Sequence, residues 1–257
     1  MKLGQALKVA KGDWYIVPRY NTWVSSHRDV EKERDVLVQI MTRPKRVRTG
    51  TFSASGAGQC LRRRQLAYLG YPQLKPNPQT MNIFANGDYM HLRHQVAGLM
   101  EGYLTGAEVS VSNEEYGLTG TMDGVLDDDG IFEGKSINDR GFTEVNMYGV
   151  KTEHREQVHS YFIASGKSHA RVLYENKNTQ ELKEFLVERD ERVIAKVVGD
   201  LEFLRDATEA KALLPMQGEC VEGKGAYRSC PFRDVCPLAK FASPRRSIRV
   251  TPSSPSA

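Results

Sequence analysis

The sequence predicts an α/β fold, a mixed sheet flanked by helices, with a smaller helical subdomain attached. Three observations carry this. Segments of helical period alternate with segments of strand period from about residue 55 to residue 212. A strand, Asp-Gly turn, strand signal sits in the middle of them, at Gly117–Leu126, Asp127–Gly130 and Ile131–Ile137. The four cysteines are split around this stretch: Cys60 precedes it, and Cys220, Cys230 and Cys236 follow it.

A chain of 257 residues with 40% apolar side chains is long enough and apolar enough for one large domain with an appendage. We divide it into an N-terminal region over 1–50, a core over 51–242 and a basic tail over 243–257 that is expected to be disordered. The first 50 residues hold Trp14, Trp23 and a helix expected from Ser26 to Met41. Cys60 to Leu69 reads as a helix, with Leu61, Gln65, Leu66 and Leu69 at helical spacing and Gly70 and Pro72 as its stop. Pro76 and Pro78 mark a loop, and a helix follows from Ile83 to Met100. Strands are expected at Ala107–Val111, at the two arms of the hairpin, at Ala170–Glu175 and at Leu182–Glu188. Helices are expected over 152–167 and from Asp190 to Ala212. The segments 53–72 and 213–242 together form the expected subdomain.

Thirty-six Lys and Arg against 32 Asp and Glu give a net charge of +4, mild in sum but clustered at 44–48, at 61–64 and at Arg245, Arg246 and Arg249. Such clusters suit local anion sites, nucleic acid first, and solvated surface charge equally well. No apolar leader opens the chain, and no run of about 18 apolar residues is present to cross a membrane. Four cysteines in such a chain are expected as metal ligands in a reducing, cytoplasmic setting rather than as disulfides.

The hairpin concentrates the chemistry. With a three-residue loop at Asp128-Asp129-Gly130, closed by glycine in the left-handed region, Asp123 is expected opposite Lys135. Glu133 then lies diagonally across on the same face. Asp123 and Glu133 offer the hard oxygens that Mg²⁺ or Mn²⁺ prefers, and His91 adds an imidazole more congenial to Mn²⁺. Lys135 is placed to orient a water or steady a phosphate. Gln157 and Tyr161, four apart, share one helix face. Singly, each residue has an ordinary alternative: a surface histidine, a turn aspartate, alternating charges on an exposed strand. The ordered set is the stronger signal.

That set, Asp123 with Glu133-Gly134-Lys135, His91 ahead and Gln157-x3-Tyr161 behind, resembles the PD-(D/E)XK nucleases and, within them, the RecB-like branch. The resemblance spans roughly residues 55–240, and it departs from the family in having Met122 where a proline often precedes the aspartate. It implies a restriction-endonuclease-like core and metal-dependent hydrolysis of DNA. The metal ligands would be His91, Asp123 and Glu133, with the Gly134 carbonyl as a fourth, and the catalytic set Asp123, Glu133, Lys135, Gln157 and Tyr161.

The thiols extend the resemblance. Cys60 followed by the C-x9-C-x5-C trio, with Cys230 and Cys236 each preceding a proline, lacks the paired short knuckles of zinc sites. It is similar to the iron–sulfur nucleases of the CRISPR-adaptation and AddB types. This implies a [4Fe–4S] cluster on Cys60, Cys220, Cys230 and Cys236, with zinc as the alternative. The same family implies exonuclease action on single-stranded DNA, with 5′-to-3′ polarity preferred. It also implies partners among recombination, helicase or CRISPR-adaptation proteins. Arg62, Arg63 and Arg64 are expected as phosphate contacts, and Tyr68 and Tyr71 as stacking residues. Two rival functions remain open: a cluster-bearing DNA-binding subunit without activity, and a structure-specific endonuclease.

Overall fold

The computed structural model describes residues 14–26, 28–42, 50–216, 220 and 229–238. The basic clusters at 44–48 and in the tail, and the disorder expected over 243–257, lie outside the described residues.

Helices α1 (Ile16–Ser25) and α2 (Val30–Met41) come first, then a short strand β1 (Phe52–Ser53), a 3₁₀ turn and helix α3 (Leu61–Tyr68). A long helix α4 (Pro78–Met100) leads to β2 (Leu104–Asn113), β3 (Leu118–Leu126) and β4 (Ile131–Ile137). Helices α5 (Asp139–Tyr148) and α6 (Thr152–Ser165), strands β5 (His169–Asn176) and β6 (Leu182–Glu188), and helix α7 (Glu191–Glu209) complete the order. The sheet is mixed: β3 is antiparallel to β2 and β4, β4 is parallel to β5, and β5 is antiparallel to β6, while β1 adds a short parallel rung to the start of β3.

Both faces of the sheet are covered. Val145 of α5, Val158 and Phe162 of α6, and Val197 and Leu201 of α7 pack over Met122, Val172 and Tyr174. On the opposite face, Ile16 and Val17 of α1 cover Leu104, Leu126, Phe132 and Leu173, while Tyr20, Trp23 and Ile40 pack with Val96 and Ala97 of α4. This three-layer packing explains why β5 is buried almost throughout: a central parallel strand has no solvent face.

The hairpin differs from its expected register by one step in the loop. The turn residues are Asp127–Asp129, closed by Leu126 N–H on the Gly130 carbonyl at 2.8 Å, and the left-handed residue is Asp129 (φ 66°), not Gly130. Gly124 therefore pairs with Phe132 and Val125 with Ile131, which sets Asp123 level with Glu133 instead of Lys135. Moving a loop by one residue moves the pairing by two, and a period of two preserves the face. The convergence survives for that reason.

Other boundaries also moved. Pro78, expected in a loop, opens α4 at the first helical position, with the Asn77 side chain accepting Thr80 N–H at 2.8 Å. Asn138 caps α5, a helix the sequence reading missed, by accepting Gly141 N–H at 2.9 Å. The expected single helix from Ser26 to Met41 begins only at Val30, capped by Asp29.

Helix α1 was missed for a different reason: its cap is not local. The carboxylate of Glu184 on β6 accepts the N–H groups of Tyr15, Ile16 (2.8 Å) and Val17 (2.7 Å), and also Arg171 at 3.3 Å. Glu184 and Arg171 are both buried. Replacing Glu184 by Ala strips the cap and removes the counter-charge of a buried guanidinium. The expected loss is about 3–5 kcal/mol in urea denaturation, with Glu184→Gln recovering part of it and proteolysis of residues 14–42 accelerating in step.

Candidate active site

The site lies where β3 and β4 part. Their pairing is confined to Gly124–Phe132 and Val125–Ile131. One step further, Gly134 N–H donates to the side chain of Asp123, at 2.8 Å from Oδ2. The same oxygen stands 3.1 Å from His91 Nδ1, which α4 brings over this end of the sheet. Gln95, one turn along α4, donates to the Asp123 carbonyl at 2.9 Å and to Glu108 at 2.7 Å, fixing the backbone behind the carboxylate. Gln95 was not singled out from sequence, where a helical glutamine carries no signal of its own.

Glu133 and Lys135, two apart on β4, share a face, and Lys135 Nζ sits 2.5 Å from Glu133 Oε1. Helix α6 lowers Gln157 onto the pair. Its amide nitrogen donates to Glu133 Oε1 at 2.8 Å, and its carbonyl accepts from Lys135 at 3.0 Å. Gln157 also lies 3.0 Å from the Tyr161 hydroxyl, which donates to the Thr121 carbonyl at 2.8 Å. Gly120 makes room for that ring, since a Cβ there would stand 2.7 Å from Tyr161 Cε1. All six expected residues thus meet in one place: His91, Asp123, Glu133, Lys135, Gln157 and Tyr161.

The electrostatics are those of buried carboxylates held by cations. Glu133 is 1% exposed, and burial, then the charge of Asp123, pushes its carboxyl up to about 7 against the pull of Lys135 and His91. For Asp123, burial acts upward, but the His91 charge and hydrogen bond, Lys135 and the Gly134 N–H hold it below its usual value. The Asp123 charge lifts His91 to about 9 in spite of burial. Lys135 is raised by Glu133 and Asp123, also against burial. Glu133 Oε2 is buried with no hydrogen-bond partner among the described residues. Among the described residues no three His, Cys, Asp or Glu side chains stand ready as a cage around one ion. His91 and Lys135 occupy the carboxylates, and Glu133 Oε2 is the open acceptor.

A second feature lies across α6. Cys60, Cys220, Cys230 and Cys236, all half-buried, line one cavity of about 650 Å³ together with Met216 and Phe232. Its far wall includes Glu153 and Glu156 of α6, the helix that carries Gln157 and Tyr161. The segment is tied down without reference to the thiols: Gln65 accepts Leu214 N–H at 2.9 Å and donates to the Ala212 carbonyl at 2.7 Å, and Leu74 N–H donates to the Pro231 carbonyl at 2.8 Å.

The expected phosphate contacts need correction. Arg62 is buried; it donates to Cys236 Sγ at 3.1 Å, to the Cys236 carbonyl at 2.7 Å and to the Leu214 carbonyl. Arg64 is also buried, 3.9 Å from Asp200, and burial lowers its pKa. Of the three arginines only Arg63 is half-open to solvent. Consecutive residues on a helix point to different sides, so a run of three cannot form one surface. Tyr68 is half-buried and stacks on Phe52 at 4.7 Å between ring centroids, packed against the core.

No family model matches the chain, and no curated protein matches it in sequence. Solved structures do resemble it. The alkaline exonuclease LHK-Exo in complex with dAMP superposes with a TM-score of 0.51 at 16% identity, covering 70% of this chain and 93% of that one. A second structure of this enzyme, from Laribacter hongkongensis, gives 0.46 at 16% identity over 71% and 93%. A phage-related exonuclease from Haemophilus somnus gives 0.41 at 14% identity over 59% and 81%. At 16% identity the match at 0.51 establishes the fold: this chain has the mixed α/β, restriction-endonuclease-like architecture.

Proposed function

We propose that this protein is a metal-dependent DNA nuclease whose active site is His91, Asp123, Glu133, Lys135, Gln157 and Tyr161. The observation that carries the reading is the buried Glu133. One of its oxygens is locked by Lys135 and Gln157, and the other is left without a partner beside Asp123. Burying a carboxylate this way costs free energy that packing does not return, so the open oxygen calls for a ligand. The shared fold with an alkaline exonuclease supports the reading by analogy alone.

The donor set, two carboxylates and an imidazole, fits Mn²⁺ or Mg²⁺. His91, Asp123 and Glu133 would hold the ion, which would stabilise charge on the phosphoryl oxygens and supply hydroxide at neutral pH. Lys135 keeps its charge and is aimed by two fixed acceptors, so it can hold a phosphate oxygen or the attacking water in place. Gln157 fixes Lys135 and Glu133 relative to each other, and Tyr161 ties Gln157 to β3. We read the substrate as single-stranded DNA, degraded exonucleolytically from the 5′ end, in the company of recombination, helicase or CRISPR-adaptation proteins.

For the thiols we propose a [4Fe–4S] cluster on Cys60, Cys220, Cys230 and Cys236. The four thiols line one cavity, and their spacing lacks the paired short knuckles of zinc sites, which supports a cluster over zinc. The cluster would act as a long-range staple, closing the chain from just after β1 to beyond α7.

Three outcomes are expected. Mn²⁺ at a hundredfold excess over its Kd stabilises the wild type by about 2.7 kcal/mol, read as a rise in Tm that Asp123→Asn and Glu133→Gln abolish. End-labelled single-stranded DNA is degraded with Mn²⁺ or Mg²⁺, with the 5′ label released first, and Lys135→Ala loses about 10²–10³-fold in rate while still binding metal. Wild-type protein that cuts no DNA when metal-loaded would sink the nuclease reading. Anaerobically purified protein is brown and carries iron and acid-labile sulfide in equal amounts, both lost in Cys60→Ala, and zinc in their place would overturn the cluster.

A further inference from the structure

One polar chain beside Lys135 has no part in the network above. Tyr174 of β5 is the cross-strand partner of Lys135 and is fully buried. Its hydroxyl accepts Lys151 N–H at 3.2 Å and lies 2.8 Å from His154 Nδ1. Among the described residues the hydroxyl proton finds one hydrogen-bond acceptor, that nitrogen, and leaving a buried donor unpaired is costly. Tyr174 therefore donates to Nδ1, and the imidazole carries its own proton on Nε2. His154 is half-buried, and Nε2 neither makes a hydrogen bond among the described residues nor belongs to their buried unsatisfied atoms. It therefore keeps some access to solvent. His154, Gln157 and Tyr161 stand at i, i+3 and i+7 on α6, so they share one helix face.

We propose that His154 is a further substrate-contacting residue, its Nε2–H donating to a non-bridging oxygen of a DNA backbone phosphate lying beside Lys135. The inference rests on the nucleic-acid reading of this site. A backbone phosphate is the natural acceptor, since most protein–DNA hydrogen bonds go to phosphate and sugar oxygens. A neutral donor suits the place: burial, Lys135 and Lys151 push the imidazole down to about 3, so it stays uncharged and adds no repulsion toward the cations of the site. The Lys151–Tyr174 chain is what keeps the donor pointing outward.

The test measures binding and cleavage separately. Binding of a dT oligonucleotide is measured in Ca²⁺ for wild type, His154→Phe and His154→Gln, with single methylphosphonate substitutions scanned along the strand; cleavage is measured in Mn²⁺ beside Lys135→Ala. His154→Phe keeps the ring and is expected to weaken binding by about tenfold or more, the effect of a lost hydrogen bond to a charged group. His154→Gln, which presents an amide N–H, recovers part of it. One methylphosphonate position that weakens the wild type has no further effect in His154→Phe, a non-additivity that mere misfolding does not produce. Equal affinity and the same methylphosphonate profile in wild type and His154→Phe, at unchanged Tm, would overturn the contact. If the wild type binds but never cuts, the nuclease reading fails, and the binding series still decides His154.

Discussion

A carboxylate buried in the middle of a sheet has to be neutralised, and much of this molecule is arranged around Glu133. Lys135 supplies the charge from two residues away on the same strand face, and Gln157 from α6 closes the pair into a fixed triangle. Asp123, held by His91 and the Gly134 N–H, adds a second negative charge that raises the cost of ionising the first. Two carboxylates side by side, with one oxygen open, are a poor way to build a stable core and a good way to build a cation site.

This arrangement depends on two departures from regular structure. Strands β3 and β4 stay paired only near their turn, so that Gly134 N–H meets a side chain rather than a ladder carbonyl. Helix α6 crosses the opening with polar residues directed at the sheet, and it packs well only because Val158 and Phe162 fill the core beside them. The same helix presents Glu153 and Glu156 to the thiol cavity. The thiol cavity and Gln157 thus lie on either side of one helix.

Much of the site was legible because its signals are short-range. Glu133 and Lys135 share a face through strand periodicity, and Gln157 and Tyr161 through helical periodicity. Even the misjudged hairpin loop left Asp123 on the correct face, since a one-residue change in a turn shifts the partner by two. Pro78 carries a helix-start signal although it reads as part of a loop, and Asn138 carries a capping signal that the strand pattern before it hides. Helix α1 carried none: its capping carboxylate belongs to Glu184, on the last strand. The arginines failed for a related reason. Arg62, Arg63 and Arg64 look alike in a string, yet one faces Cys236, one faces Asp200 and one is half-open to solvent.

By itself the sequence determined which chemical groups are present, their order, and the local periodicities that place them on faces of strands and helices. It determined the α/β class for the same reason, since alternating periods leave few ways to bury both sets of apolar faces. The tertiary structure alone decided which of these groups are buried and what neutralises them. It left Glu133 Oε2 open, turned Arg62 inward onto Cys236, and set the Tyr174 hydroxyl against His154 Nδ1. Burial and hydrogen-bond partners belong to residues brought together from distant parts of the chain, and no window of sequence contains both.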